Sequence, residues 1–344
     1  MLSRRDFIRG ANGIALTIPF LGLIGCDDTS ADGAHSFSGK TMGTTYNVKV
    51  ARATNALDDE MLASRIQARL DGVESLMSTY RTTSELSLFN ATNAGNSRSV
   101  SADTARVIET ALAVAEMTDG AFDPTVGPLV DLWGFGPNGS RTDLPAETEI
   151  ASAMAGLGYR NISLSGQDLT KTTNAQIDLS GIAKGFGVDK VAELLDAEGV
   201  EHYLVEVGGE VRTRGLSPED RAWRLGIEKP NPATRDIQQI VGLSGHALAS
   251  SGNYRIFFEA DSQRYAHIID PRNGRPLTHD LASATVIAET TTQADALSTA
   301  MLVMGTETAM AFARENDIAA FLISGRDGSF SDAASPAFER LFSA

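Results

Sequence analysis

The chain has 344 residues, 42% of them hydrophobic and 21% charged, an ordinary soluble composition and enough length for one large domain or two smaller ones. Its formal net charge of −15 argues against a surface built for nucleic acid or anionic lipid, since both are polyanions. Any phosphate it binds needs local neutralisation by backbone N–H groups, a lysine or a metal.

Residues 1–25 read as a targeting device outside the fold. Ser3-Arg4-Arg5-Asp6-Phe7-Ile8-Arg9 resembles a twin-arginine export signal, followed by an apolar region from Ala11 to Gly25 that is too short for a spanning helix. Leu23-Ile24-Gly25-Cys26 resembles a bacterial lipobox, in which the cysteine becomes the lipidated first residue. Cys26 is the sole cysteine. A stray core thiol is the bland alternative, and the position at this junction favours lipidation. Removing residues 1–25 takes away three Arg and one Asp, so −15 becomes −17. A single cysteine allows no internal disulfide, so an oxidising compartment is tolerated rather than exploited. Asp27 resembles the signal that keeps lipoproteins in the inner membrane, and residues 26–36 are expected as a polar tether.

The body, residues 37–344, alternates strand and helix signals. Thr44–Ala51 alternates like a half-buried strand, and Leu57–Met77 carries apolar residues at helical spacing. Thr104–Thr118 is a second expected helix, stopped by Asp119-Gly120. Leu129–Leu144, rich in Gly and Pro with Trp133 and Phe135, suggests an ordered loop over a site. Helices are expected at Glu147–Leu157 and Phe186–Ala197. Tyr203–Val207 and Glu210–Arg214 form a tight hairpin across Gly208-Gly209. Trp223–Glu228, Gly245–Ala249, Tyr254–Glu259 and Tyr265–Asp270 read as strands. Helices at Gln293–Met304 and Ala309–Asn316 and a strand at Ala319–Ser324 complete the chain. Strands in runs with helices between the runs favour an α+β fold over a doubly wound parallel sheet.

The segment Ile177–Leu195 raises a chemical question. Glycines ahead of a helix favour an anion, because bare N–H groups and the positive helix end face it. No Ser or Thr follows Lys184, so this is not a Walker A loop, and the spacing does not give G-x-G-x-x-G. Asp178 reads equally as a turn former or a ligand. Lys184 is either a solvated lysine or, between Gly181 and Gly185, a contact to phosphate or ring. Asp295 and Thr299 lie four apart on a helix, which puts a carboxylate and a hydroxyl on one face as hard oxygen donors for Mg²⁺. Thr292-Gln293-Ala294-Asp295 also fits a capping box in which Asp295 only holds the helix start, the reading that spacing alone favours. His267 alternates with apolar residues and is either structural or a positioned base.

Singly these signals are weak, but their order is specific. Thr41-Met42-Gly43-Thr44-Thr45-Tyr46, Met77-Ser78-Thr79-Tyr80-Arg81, Gly120-Ala121-Phe122-Asp123-Pro124-Thr125 and Leu132-Trp133-Gly134-Phe135-Gly136 come first. Ile177-Asp178-Leu179-Ser180-Gly181-Ile182-Ala183-Lys184-Gly185 and Val207-Gly208-Gly209-Glu210 follow. His267-Ile268-Ile269-Asp270-Pro271 and Ala294-Asp295-Ala296-Leu297-Ser298-Thr299-Ala300 close the series. The set resembles the ApbE family of FAD:protein FMN transferases from about Phe37 to the C-terminus.

The resemblance implies antiparallel sheets with packed helices and an active site in a cleft between two lobes. It implies cleavage of the FAD pyrophosphate and attachment of FMN by a phosphoester to a threonine of a target flavoprotein, with release of AMP. Targets would be subunits of membrane redox complexes of the sodium-pumping quinone reductase or Rnf type. By the same resemblance, FAD is held by Met42, Tyr80, Ala121, Phe122, Asp123, Asp178, Lys184 and Ile269. Mg²⁺ is held by Asp295, Thr299 and the Gly181 carbonyl, with Ser298 as a further contributor, and His267 helps to deprotonate the incoming threonine. The implied setting is the periplasmic face of the inner membrane, with a lipid anchor at Cys26. Two other functions share these residues: an FAD pyrophosphatase giving FMN to water, and a non-catalytic FAD-binding lipoprotein. A local metal charge makes physical sense in an acidic protein, because phosphoryl transfer needs charge neutralisation and in-line placement more than covalent help.

Overall fold

The computed structural model describes residues 34–52, 58–139, 141, 143–231, 233–260, 263–326 and 328–342. The expected export signal at 1–25, Cys26 and the expected tether up to residue 33 lie outside the described residues. Among the described residues no helix is long and apolar enough to cross a membrane.

The frame is one antiparallel sheet whose strands lie in chain order: β1 (His35–Thr41), β2 (Thr44–Arg52), β3 (His202–Val207), β4 (Glu210–Arg214), β5 (Ala247–Gly252), β6 (Leu281–Ala288), β7 (Ala319–Arg326) and β8 (Ser329–Ala334). β1 begins at His35, so the last two residues expected in the tether belong to the sheet. Period-two alternation sends neighbours in one strand to opposite faces. In β3, Tyr203, Val205 and Val207 face a core shared with α1 (Asp59–Met77) and α3 (Ala183–Ala197), whereas Leu204 faces the other side. That other face is covered by the hairpin Trp223–Glu228 with Ile237–Leu243 and by the C-terminal helix Pro336–Phe342. The largest core lies between the sheet, α2 (Ala102–Met117) and α4 (Thr291–Met304).

β6 was not expected; both of its faces are covered, and its polar residues Ser283 and Thr285 are buried along with the apolar ones. The expected strand at 254–259 is shorter, Phe257–Ala260. The expected strand at 265–270 is broken, with Gln263–Ala266 and Ile269–Asp270 on either side of His267 and Ile268. The expected loop at 129–144 opens with a short helix, Gly127–Leu132. Around that helix Leu129, Trp133, Ile150 and Ile269 build a small separate hydrophobic cluster. The resulting second lobe and the main sheet face each other across one cavity, lined from one side by Val126, Val130 and Phe135 and from the other by Glu210, Ser251 and Asp295. The α+β architecture with an inter-lobe cleft is therefore as expected.

Candidate active site

The cleft is organised by the crossing of α3 and α4 at their N-terminal turns. A Cβ on Gly185 would stand 2.9 Å from Asp295 Cβ and closer still to the Thr291 carbonyl, so only glycine lets the helices meet here. The first N–H groups of a helix have no partner within it and carry a partial positive charge. Here each helix supplies the other's acceptor. Gly185 N donates to Asp295 Oδ2 at 2.9 Å. In return Asp189, fully buried on α3, accepts from Thr291 N at 3.0 Å, Thr292 N at 2.9 Å and Thr292 Oγ1 at 2.6 Å, and pairs with Arg212 at 2.7 Å. The capping box expected within Thr292–Asp295 does not form. The cap of α4 is Thr290, whose hydroxyl accepts from Gln293 N. Asp295 is thereby free of its own helix start and presents its second oxygen, Oδ1, to Lys184.

α3 begins at Ala183, three residues earlier than the periodicity predicts, which puts Lys184 in its first turn. Lys184 Nζ lies 3.1 Å from Glu210 Oε1 and 3.5 Å from Asp295 Oδ1. Burial works against the ammonium, but the two carboxylates outweigh it and raise its pKa. Glu210 is only 3% exposed, and burial pushes its pKa up to about 8, with Asp295 adding and Lys184 opposing. Its Oε2 is buried with no hydrogen-bond partner among the described residues. Glu210 follows the Gly208-Gly209 turn of the β3–β4 hairpin. Gly208 has φ 61°, and a Cβ there would meet Thr44 Cγ2 at 2.9 Å and Lys184 Cδ at 3.3 Å. This buried carboxylate was not picked out as a site residue, because nothing local to a hairpin marks a Glu as buried.

Beside Asp295, Thr299 is half-buried and lines the same cavity. A Cβ on Gly181 would lie 3.4 Å from Thr299 Oγ1 and 3.3 Å from the Phe122 ring, so the Gly181 backbone passes directly against both. Ser298 is fully buried behind the wall, its hydroxyl donating to the Asp295 carbonyl at 2.9 Å. Ser298, expected as a further metal ligand, is not among the residues that line the cavity, and its oxygen faces helix backbone and a sheet serine. Ser251 Oγ on β5 lies 2.8 Å from Ser298 Oγ and 3.0 Å from Thr299 Oγ1. Among the described residues no three His, Cys, Asp or Glu side chains cluster as a ligand set. A cation here would rest on carboxylate, hydroxyl and carbonyl oxygens, a hard donor set that suits Mg²⁺ better than zinc.

The cavity has a volume of about 770 Å³, within the range of small-molecule sites. Met42, Tyr80, Ala121, Phe122, Asp123 and Asp178 line it, as do His267 and Ile269. Met42 sits in the β1–β2 turn at φ 45°, a left-handed conformation unusual outside glycine. Tyr80 is 69% exposed at the mouth, its hydroxyl donating to the Phe135 carbonyl at 3.3 Å. Asp123 is buried, and burial raises its pKa against the bonds from Thr125 N, Thr125 Oγ1 and Tyr159 N. Asp178 accepts from Ser180 N at 2.7 Å, which turns the chain toward Gly181. The segment before it is clamped by Asn90, which binds both the N–H and the carbonyl of Ile177. His267 is half-buried with Nδ1 3.3 Å from the Ile256 carbonyl. Burial pulls its pKa down to about 4, and the Lys184 charge adds to the effect, so the ring is neutral at pH 7. Its edge meets Phe135, and Phe258, Tyr265 and Trp133 continue an aromatic strip along the second lobe.

One wall of the cavity thus carries carboxylate, hydroxyl and carbonyl oxygens and a lysine, and the rest is largely apolar and aromatic, with Asp123, Asp178 and His267 set into it. The ApbE family model matches residues 42–322, which include all of these groups. The chain belongs to the ApbE family. It is 41% identical to the FAD:protein FMN transferase of Vibrio cholerae over 333 residues, covering 96% of this chain and 99% of that protein. It is 36% identical to the protein of the same name from Escherichia coli over 337 residues, covering 95% of this chain and 96% of the other. The crystal structure of apo flavinyl transferase ApbE from Pseudomonas stutzeri superposes with a TM-score of 0.84 at 39% identity, covering 90% of this chain and 97% of that one. Every residue selected in the sequence as a site candidate borders the cavity except Ser298; they are joined there by Ser251 and by Glu210, which the motif series included without a role.

Proposed function

We propose that this chain is an FAD:protein FMN transferase that acts with Mg²⁺. The observation that carries the reading is the convergence of Asp295, Thr299, the Gly181 backbone and Lys184 on one wall of a cavity whose other walls are apolar and aromatic. Such a cavity suits a molecule that is a flat ring at one end and a pyrophosphate at the other. Met42, Tyr80 and Phe122 offer ring-binding surface, while Ala121, Asp123, Asp178 and Ile269 complete the nucleotide pocket. Asp295, Thr299 and the Gly181 carbonyl would hold the cation, which when bound neutralises pyrophosphate oxygens. Lys184 adds a fixed positive charge toward the same phosphates.

In the transfer, a threonine Oγ of the target attacks the phosphorus of the FMN half. The bond from that phosphorus to the bridging oxygen breaks, and AMP leaves with the electron pair. The threonine proton passes to His267, whose neutral ring is able to accept it. The chain's own work is placement and charge, as phosphoryl transfer requires. The proposed setting is the periplasmic face of the inner membrane, after twin-arginine-type export and lipidation of Cys26. The proposed targets are flavoprotein subunits of membrane redox complexes. The test is incubation of the protein with FAD and Mg²⁺, with and without a candidate target. Flavin that stays on the target after denaturation supports transfer. Free FMN and AMP as sole products with a flavinylatable target present would contradict it in favour of a pyrophosphatase.

A further inference from the structure

Three hydroxyls and one carbonyl form an unbroken line beneath the proposed cation site. Thr299 Oγ1 is 3.0 Å from Ser251 Oγ, Ser251 Oγ is 2.8 Å from Ser298 Oγ, and Ser298 Oγ is 2.9 Å from the Asp295 carbonyl. Each hydroxyl owns one proton and can accept on its remaining lone pairs. The carbonyl at the end of the line can only accept, so the proton in the last contact is the one from Ser298. Ser298 then has no proton left, and the contact with Ser251 needs the Ser251 proton. Ser251 is spent in turn, so the contact with Thr299 needs the Thr299 proton. Only this assignment gives each of the three close contacts a proton, and at Ser298, which is fully buried, no water can supply another.

We infer that Ser251 is a positioning residue for the cation site: by accepting the Thr299 proton it turns both lone pairs of Thr299 Oγ1 into the cavity. A threonine hydroxyl whose proton faced the cavity would repel a cation. One locked in this direction is a neutral oxygen ligand at no cost in reorientation. The same line fixes α4 to β5, so the orientation is set by the main sheet rather than by the helix alone. Ser298 then earns its place as the relay's terminus, which accounts for a buried hydroxyl that does not reach the cavity.

The inference rests on the Mg²⁺ reading of the site, and its test reads binding rather than turnover. Calorimetric titration of the full chain with Mg²⁺ gives the dissociation constant of each variant. Ser251→Ala is expected to weaken Mg²⁺ binding by about tenfold, the lower end of what loss of a ligand-orienting partner causes. Ser251→Thr, which keeps the hydroxyl, is expected to restore most of it. Ser251→Cys, with nearly the same volume and a weak donor, serves if the alanine variant folds poorly and should also bind weakly. The decisive arm is Ser251→Ala placed in a Thr299→Ala background. Because Ser251 acts through Thr299, it should add no further loss there. Equal losses in both backgrounds, or a dissociation constant unaltered by Ser251→Ala alone, would overturn the relay while leaving the metal reading intact. Absence of Mg²⁺ binding by the unsubstituted chain, with FAD present or not, would overturn both.

Discussion

Gly185→Ala tests the helix crossing on which the site depends. The added Cβ would sit 2.9 Å from Asp295 Cβ and nearer still to the Thr291 carbonyl, both fixed parts of α4 rather than ends of flexible side chains. Overpacking of this kind typically costs ~1–3 kcal/mol, with the backbone contact placing it at the upper end. Alanine returns ~1 kcal/mol of helix propensity in α3. The net expected loss is therefore about 2 kcal/mol, or a fall in Tm of roughly 3 °C for a chain of this size. Gly72, inside α1, is the matched control, because a Cβ there meets nothing within 4 Å. Gly72→Ala should stabilise by ~0.5–1 kcal/mol through propensity and the unfolded state. Urea unfolding of both variants, followed by circular dichroism, measures the contrast. If Gly185→Ala proved as stable as the unsubstituted protein, or Gly72→Ala lost as much, the close approach of α3 and α4 would be refuted.

Asp189→Ala should cost about 3–5 kcal/mol, since it leaves a partly buried Arg212 and two N–H groups of α4 without their acceptor; urea unfolding checks this. The Glu210 carboxyl sits at about 8 against an ordinary 4.5, so it holds its proton more tightly when folded. Its contribution to stability is then full below the unfolded value and lost as pH rises through the folded one. With chelator present, Tm should fall as pH climbs from about 5 to about 8, and Glu210→Gln should flatten that fall; an unchanged slope would contradict the burial of this carboxyl. His267 sits at about 4, so the acid limb of the transfer rate assigned to it lies near that value and not near 6.5. His267→Gln should lower the rate by about 10²–10⁴-fold with little change in FAD affinity, and an inflection near 6.5 that this variant removes would contradict the buried, neutral ring.

What the sequence could show depended on how local the cause was. The period-two run of β2 and the glycine hairpin between β3 and β4 were legible, because alternation and turn chemistry act within a few residues. β6 was not, because its polar positions Ser283 and Thr285 are buried like their neighbours, so its short pattern reports no solvent face. Asp295 was ambiguous for a related reason. Its hydrogen-bond donor is Gly185, 110 residues away, while a local capping box was available to the eye. Lys184, Asp178 and Thr299 were found through the order of motifs. Glu210 was quoted in its hairpin motif without a role and Ser251 was missed, since a buried Glu after a turn and a serine near a strand end carry no local mark of their partners. Both owe their significance to contacts across the sheet, with Lys184 and with α4.

Metal-dependent flavinyl transfer is proposed for the Asp295 wall of the cavity. The most direct measurement is mass spectrometry of a target protein after incubation with FAD, Mg²⁺ and either the unsubstituted chain or Asp295→Ala, with FAD binding followed in parallel. The expected result is FMN on a target threonine with the unsubstituted chain, none with Asp295→Ala or with chelator, and FAD binding largely retained by the variant. Persisting threonine flavinylation by Asp295→Ala would contradict the account.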